Sequence, residues 1–445
     1  MSRNVQLIAR LGVVLAPWLL ATPAPADEEK FAVTSVINLP NGQSLSEFDT
    51  SFVDPVAGVY ILSDHGNKSI DVVDTASNTV INQLSPGFVG VFTGMCPAGS
   101  PSCNGPNGGL IANHTQVWVG DGNSTVWELQ LNNGHVLAKI STALPGTTDL
   151  SRANALCYDP DDQIILVSND ASIPSPFVTF ISSTGNAKVL GHIVMDGTNG
   201  TPEATGGIEQ CQYDQRTGKF YLNVPRATVS GVGGPQDLVL QIDPVSETIL
   251  NAVNLTALGS KCVRGNGMAI GPAPQIAIGC GRNGTASVII SEDFSSNSTT
   301  FVDLANESGT DQVWYNPGDN HYFLANGRRT VAGVATPQLG VVDAVGENGS
   351  GSPVEDSSAT SATRSISVAA DPVGNQVYVP IDNVAGAASG ICGAKYGNPP
   401  TVMGDNSKGC IAVFTVVSGT DDPGSCFQQG GSEANCPPKS QAAGR

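Results

Sequence analysis

The segment Phe52-Val-Asp-Pro-Val-Ala-Gly-Val-Tyr-Ile-Leu-Ser63 consists of two short apolar runs joined by an Asp-Pro turn. The same order of residue types returns in Leu156-Cys-Tyr-Asp-Pro-Asp-Asp-Gln-Ile-Ile-Leu-Val-Ser-Asn169 and in Val368-Ala-Ala-Asp-Pro-Val-Gly-Asn-Gln-Val-Tyr-Val379. Looser copies begin near Gly109, Ile208, Gly267 and Gln312. A repeat of roughly 45 to 55 residues with four strand-like runs is typical of propeller blades, because one small sheet buries both faces only by stacking on neighbours around a ring. The sequence therefore predicts an all-β, seven-bladed β-propeller with four-stranded antiparallel blades.

The last repeat contains only three convincing strand-like runs. A free apolar run, residues 31–38, lies near the start of the chain and has no other place in the repeat pattern. Pairing this run with the last repeat would close the ring and remove exposed strand edges, which otherwise invite aggregation. We therefore expect the N-terminal strand to close the propeller.

The first 26 residues have the layout of a secretory signal peptide. Arg3 and Arg10 come first, an apolar stretch covers residues 11–20, and Ala24-Pro-Ala26 forms an A-x-A cleavage site. No later apolar run approaches the roughly 20 residues of a membrane span. We predict a signal peptide at 1–26, a propeller at 27–418 and an irregular, Gly-, Pro- and Ser-rich tail at 419–445, in a protein that is secreted or periplasmic.

The charge balance narrows the choice of partners. The chain has 20 Lys and Arg against 39 Asp and Glu, for a net charge of −19. Nucleic acid and anionic membranes are poor partners for such an acidic surface. We expect a monomer that binds a small-molecule ligand or substrate.

Ten cysteines in an exported chain indicate disulfides, since an even number in an oxidising compartment usually pairs. No haem-attachment or paired C-x-x-C zinc pattern is present in the sequence. The closest pairs by sequence or by repeat position are Cys96/Cys103, Cys262/Cys280, Cys392/Cys410 and Cys426/Cys436. Cys157 and Cys211 remain, at similar places in adjacent repeats, and the connectivity stays open.

A ring of oxygen-bearing side chains is expected at one mouth of the channel. Counting five residues back from the turn after each inner strand gives an acid or amide in five repeats: Asp49, Asn154, Glu209, Asn266 and Asp311. The remaining two repeats give about Gly108 and Ile366. Oxygens converging from several strands suit a hard divalent cation such as Ca²⁺. Alternatively, these side chains accept backbone N–H bonds and surround ordered water, as in inert propellers.

Asn266-Gly-Met-Ala-Ile-Gly-Pro272 resembles the Asn-Gly-apolar segment of the senescence-marker-protein/gluconolactonase family, and Asp49 and Asp311 occupy places similar to its metal-binding acids. The resemblance implies a channel-mouth metal that polarises a lactone carbonyl, with Asp311 doubling as the base and Glu209 as an additional catalytic carboxylate. That family has six blades and a Gly-Glu-x-Pro motif, where this chain has seven repeats and Phe48-Asp-Thr-Ser51. The chain as a whole resembles seven-bladed propellers with Tyr-Val-Thr-Asn (YVTN) repeats, a group defined by fold.

A second set of side chains follows the second strands, on the same face as the ring. Its candidates for substrate binding are His65, Arg226, Arg282 and Arg328. Guanidinium groups bind carboxylates through two parallel hydrogen bonds, although these arginines could simply neutralise an acidic rim. His65 could act as a general base.

Three functions remain open at this point. The first is a secreted, Ca²⁺-dependent, lactonase-like hydrolase, or a lyase, acting on a small carbonyl compound. The second is a non-catalytic propeller that binds a small ligand or a partner protein. The third, a quinone or haem propeller, lacks its haem signatures and tryptophan docking pattern, and the sequence contains no G-x-S-x-G elbow for serine-hydrolase chemistry.

Overall fold

The structure consists of seven four-stranded antiparallel sheets. It is a computed structural model, and it describes residues 30–91, 103–147, 151–281, 285–293, 298–346, 352–356, 365–383, 390–396, 402–403 and 407–418. From the inner to the outer strand, the first four blades are Phe48–Asp54, Val59–Asp64, Ser69–Asp74 and Thr79–Leu84 (blade 1); Gly109–Ala112, Gln116–Asp121, Thr125–Gln130 and Val136–Ser141 (blade 2); Leu156–Asp159, Ile164–Asn169, Phe177–Ser182 and Lys188–Val194 (blade 3); and Cys211–Asp214, Lys219–Ala227, Gln236–Asp243 and Thr248–Asn254 (blade 4).

The other three blades follow the same order. They are Gly265–Ile270, Gln275–Cys280, Ala286–Asp293 and Ser298–Ser308 (blade 5); Val313–Asn316, His321–Asn326, Gln338–Asp343 and Val354–Asp356 (blade 6); and Ala369–Asp371, Gln376–Ile381, Cys410–Ser418 and Lys30–Ile37 (blade 7). The described connections also contain a 3-10 turn at Pro40–Gly42, a short α-helix at Leu255–Leu258 and two small hairpins, Thr330–Val331 with Val334–Ala335 and Lys395–Tyr396 with Val402–Met403. The predicted seven-bladed β-propeller is confirmed.

The Asp-Pro turns that revealed the repeat are held by their own carboxylates. Asp54 Oδ1 accepts the backbone N–H groups of Val56 and Ala57 at 2.9 and 3.0 Å. Asp159 binds its turn in the same way. An Asp side chain that bonds the backbone two and three residues ahead stabilises a tight turn, which explains why the residue recurs at these positions.

The hydrophobic core lies between neighbouring blades. The second strand of blade 1, Val59–Asp64, is buried along its whole length, whereas most residues of the outer strand Thr79–Leu84 are partly or fully exposed. Tyr60 stacks on Tyr378 of blade 7 with ring centroids 4.8 Å apart. Both faces of this second strand are covered, so its run from Val59 to Leu62 is continuously apolar instead of alternating.

The N-terminal strand Lys30–Ile37 forms the outer strand of blade 7 and pairs antiparallel with Cys410–Ser418. Phe31 is fully buried there and packs edge-to-face on Phe323, with ring centroids 5.1 Å apart. The predicted closure of the ring is therefore confirmed. The predicted signal peptide and tail lie outside the described residues.

Three disulfides are fully described. Cys262–Cys280 and Cys392–Cys410 match the predicted pairs, and the two remaining cysteines bond to each other as Cys157–Cys211, which joins the inner strands of blades 3 and 4. Cys103 is also disulfide-bonded, while Cys96, Cys426 and Cys436 lie outside the described residues. The disulfides are compatible with an extracellular protein. In the described ranges, none of the helices is long and apolar enough to cross a membrane.

Candidate functional site

One cavity of 280 Å³ opens at the end of the channel where the inner strands begin. The structure brings all five predicted ring residues into its wall, one each from blades 1, 3, 4, 5 and 6: Asp49, Asn154, Glu209, Asn266 and Asp311. Two repeats were expected to have no oxygen-bearing side chain at this position. One of them contributes Ile366 to the wall, and Gly108 of the other lines the channel further in.

Backbone hydrogen bonds between blades fix the ring residues in place. The N–H of Glu209 donates to Asn223 O of its own blade at 2.9 Å. The next residue, Gln210, donates its N–H to Asn266 O of blade 5 at 3.2 Å. The corresponding N–H groups of blade 6 form the same pair of hydrogen bonds, one within the blade and one to the next blade. The backbone therefore positions the ring side chains without a bound ligand.

A second row of charged side chains, which the counting rule missed, lies above the ring. Glu47, Arg152 and Arg264 line the same cavity, and each precedes a ring residue by two positions. Side chains two residues apart on an extended chain point the same way, so stepping back two residues from the ring would have found Glu47 and Arg152. Arg264 has a left-handed φ of 62°, so this rule does not account for its position. The cavity therefore contains arginines among its carboxylates.

Arg152 is the charge of the second row that forms a two-bond ion pair. Its Nε donates to Asp170 Oδ1 at 3.2 Å and its Nη2 to Asp170 Oδ2 at 2.9 Å, a two-bond ion pair. Burial alone would lower the pKa of Arg152, but the charges of Asp170, Asp49 and Glu209 outweigh this effect and raise it. The guanidinium is a permanent positive charge held between the carboxylates of the mouth.

Glu209 is an acid of the mouth whose pKa is strongly shifted. Burial raises its pKa well above the usual range, and the negative charges of Asp170 and Asp311 raise it further, while Arg152 opposes the shift. No hydrogen bond to its carboxylate is present within the described part of the chain. Acids in cavities with strongly shifted pKa values are common at functional sites, because the rest of the fold offsets the free energy that such an environment costs.

Asp311, the predicted base, is already engaged by two neighbours. Its Oδ1 accepts a hydrogen bond from Asn266 Nδ2 at 2.6 Å, and its Oδ2 forms a close ion pair with Arg328. Burial raises the pKa of Asp311, and the positive charge of Arg328 partly offsets that increase. The carboxylate therefore has little free capacity for a metal or a substrate proton in this arrangement.

His65 and Arg328, two of the four predicted substrate-binding residues, line the cavity. His65 is buried, with its Nδ1 3.6 Å from Glu47 Oε1 and its Nε2 3.9 Å from Asp49 Oδ2. The hydrogen bond with His65 lowers the pKa of Glu47. The imidazole thus links the ring to the second row.

Arg226, the third predicted residue, lies beside the cavity and not within it. It lines an adjoining groove of 1080 Å³ over blades 3 and 4, which shares Arg152, Glu209 and Arg264 with the mouth. Arg282, the fourth, lies outside the described residues. The mouth and the groove together form an elongated polar surface.

The arrangement does not match a preformed cation site in the ranges that the structure describes. Among these residues, no group of three or more His, Cys, Asp or Glu side chains is placed to hold a metal ion. Arg328 and Asn266 engage Asp311, and Arg152 holds a positive charge close to Asp49 and Glu209. The divalent metal stays a prediction.

A larger cavity of 470 Å³ occupies the opposite half of the channel, on the side of the Asp-Pro turns. Its wall is mostly apolar and includes Phe52, Tyr158, Tyr213 and Trp314. Asp54 and His114 also line this cavity, but they pair with each other at 2.8 Å, whereas the mouth combines several acids with arginines. The mouth is therefore the better candidate for polar chemistry despite its smaller volume.

No protein-family model matches the chain, and the comparison with curated protein sequences gives no match. Among solved structures, hydrazine synthase from Kuenenia stuttgartiensis aligns with a TM-score of 0.51 at 11% identity, over 77% of this chain and 96% of that one. A chain of the mitotic checkpoint complex aligns at 11% identity with a TM-score of 0.48, over 84% of this chain and 95% of that one. At 11% identity, the alignment with hydrazine synthase supports the propeller fold alone. The resemblances to YVTN-repeat propellers and to the gluconolactonase family remain hypotheses.

Proposed function

We propose that this protein is a secreted propeller that binds a small polar molecule at the mouth of its channel. The observation that carries the proposal is the composition of one cavity, in which acids and amides from five blades meet arginines. Such a wall offers hydrogen-bond donors and acceptors side by side, which suits a ligand with several hydroxyl or charged groups. Its volume is near the lower end for ligand pockets, about 300 Å³, which favours a small molecule.

Glu209 is the central binding group in this proposal. Its carboxylate has a raised pKa and no hydrogen-bond donor in the described part of the chain, so a hydroxyl or ammonium group of a ligand would supply what the protein does not. Without a ligand, the same carboxylate costs stability at neutral pH. A group that binds ligand at the expense of stability is typical of functional sites.

Replacing Glu209 with Gln should have two opposite effects. Thermal shift with a panel of monosaccharides, sugar acids and amino acids should identify compounds that raise the Tm of the unmodified protein, and Glu209→Gln should reduce that response at least tenfold in apparent affinity. In the absence of ligand, Glu209→Gln should itself raise the Tm at pH 7, because the neutral amide removes a buried acid whose pKa is raised.

Glu307→Gln is the matched control. Burial raises the pKa of Glu307 to about 7, but its carboxylate accepts a hydrogen bond from Asn326 between blades, away from the mouth. This variant should keep the full ligand response. A panel in which no compound raises the Tm, or a response that Glu307→Gln loses and Glu209→Gln keeps, would contradict the proposal.

The second candidate is the metal-dependent hydrolase or lyase. It is favoured by the proximity of Asp49, Glu209 and Asp311, because the charges of Asp49 and Asp311 raise the pKa of Glu209 and that of Asp49 raises the pKa of Asp311. A cation would relieve this repulsion, as would a proton. Direct ligation by Asp311 would first require Arg328 to leave it.

This second candidate predicts that Ca²⁺ raises the Tm by an amount set by its concentration relative to the Kd. Asp311→Asn should weaken the response, and Arg328→Gln should strengthen it by releasing the Asp311 carboxylate. Asp196→Asn, an exposed acid outside the mouth, should leave it unchanged. Identical melting curves in chelator and in excess Ca²⁺ would reject the metal and leave the ligand-binding proposal intact.

A further inference from the structure

Two arginines that border the groove beside the mouth have an unusual backbone conformation. Arg226 has a φ of 52° and Arg264 a φ of 62°, in the left-handed region that non-glycine residues rarely adopt. Residues held in this region cost free energy and collect at functional sites. Arg264 lines both the groove and the mouth, whereas Arg226 lines the groove only.

A single buried carboxylate holds both arginine backbones. Asp237 Oδ1 accepts the N–H of Arg264 at 2.8 Å and the N–H of Arg226 at 3.4 Å. Asp237 is 5% exposed, and its own N–H donates to Thr256 Oγ1 at 2.9 Å. Since Asp237 binds the backbones, the guanidinium groups of Arg226 and Arg264 stay available to the groove.

The positive charge of Arg226 partly offsets the rise that burial causes in the pKa of Asp237, but the two groups do not form an ion pair. Arg152, the third arginine, is already engaged by its two-bond pair with Asp170. Glu203 also lines the groove but is exposed to solvent. In the described part of the chain, neither Arg226 nor Arg264 has a side-chain ion pair. Unpaired arginines on so acidic a protein, with a net charge of −19, are a local exception that attracts anions.

We infer that Arg226 and Arg264 form an oxyanion site, and that the molecule bound at the mouth carries a carboxylate or phosphate group that lies in this groove. The planar guanidinium offers two parallel N–H donors, which match the oxygens of either group. The inference rests on the proposed function, which it extends by naming the ligand as an acid. Arg264 contacts the oxyanion group at the point where the ligand passes from the groove into the mouth.

Glucuronate and glucose test this inference, because they differ only in one carboxylate, and inorganic phosphate serves as the second oxyanion. Calorimetric titration of the intact protein should give glucuronate at least tenfold tighter binding than glucose. The double variant Arg226→Gln/Arg264→Gln should lower that ratio to about one. Glutamine keeps the backbone N–H groups that bind Asp237, so the fold should persist.

Arg216→Gln is the matched control for loss of charge, because Arg216 pairs with Asp214 in a turn on the opposite face of the propeller. It should preserve the preference for glucuronate. Tight binding of phosphate that the double variant abolishes would also support the site and would identify phosphate as the preferred oxyanion. Equal binding of glucose and glucuronate would overturn the oxyanion site while supporting the mouth, and failure of both glucuronate and phosphate to bind would overturn the inference.

Discussion

Phe31→Ala should destabilise the protein by roughly 3–5 kcal/mol, the usual cost of removing a large aromatic ring from a packed core. Phe31 is fully buried and contacts Phe323 and His321 edge-to-face, with centroid distances of 5.1 and 5.3 Å. Deleting residues 30–37 should have a larger effect, because it also removes every backbone bond to the strand Cys410–Ser418. Chemical denaturation of the point variant, and aggregation of the deletion variant by light scattering, measure the two effects.

Thr34→Ala provides the control within the same strand. Its side chain is exposed, although its hydroxyl donates to Val413 O at 3.4 Å. A surface change of this kind should alter the free energy of unfolding by about 0.5 kcal/mol at most. If Phe31→Ala cost no more than Thr34→Ala, or if the deletion variant melted like the intact chain, the N-terminal strand would not be what closes the ring.

The repeat was enough to predict the blades, because strand and turn chemistry are local. An Asp that bonds its own turn and a buried run such as Val59–Asp64 leave the same pattern in the three clearest units. The ring residues followed from the fixed rise of a strand, since five positions before a turn place a side chain at the channel mouth in six of the seven blades. Local rules were therefore enough to predict the blades and the ring residues.

What the sequence did not reveal depends on contacts between residues that are not adjacent in the chain. Asp170 follows blade 3's second strand, and nothing in its surroundings in the sequence indicates that it binds both nitrogens of Arg152. The same holds for Asp237, whose partner Arg264 belongs to the connection to the next blade. The prediction of a metal site took account of the carboxylates alone. The arginines between these carboxylates change which ligand the site favours. Charge balance in a cavity is a property of the assembled ring.

Asp71→Asn should stabilise the protein at pH 7 by on the order of 2–4 kcal/mol. Asp71 is fully buried in blade 1, where burial first and the neighbouring charge of Asp64 second raise its pKa to about 8. Its Oδ1 accepts from Ser69 and Gln83, while its buried Oδ2 has no hydrogen-bond donor. At neutral pH the folded protein therefore binds a proton that the unfolded chain, with a carboxyl pKa near about 3.9, does not.

The sign of the pH dependence follows from this raised pKa. The contribution of Asp71 to stability is fully present below about pH 4 and is lost by about 1.4 kcal/mol per pH unit until the folded group ionises near pH 8. Asparagine keeps the acceptor for Ser69 and Gln83 and carries no proton to titrate. The advantage of Asp71→Asn should thus be small at pH 4 and greatest at pH 8, as measured by denaturant unfolding across that range.

Asp74→Asn, at the end of the same strand, should behave in the opposite way. Hydrogen bonds from Ser77 lower the pKa of Asp74, so this carboxylate stabilises the fold above the pKa of the unfolded chain, and the contribution disappears as the pH falls. Its loss should therefore weaken the protein at pH 7 and matter less at pH 3. Parallel pH profiles for the two variants would show that burial beside Asp64 is not what shifts Asp71, and a less stable Asp71→Asn at pH 8 would mean that the ionised carboxylate is the form the fold needs.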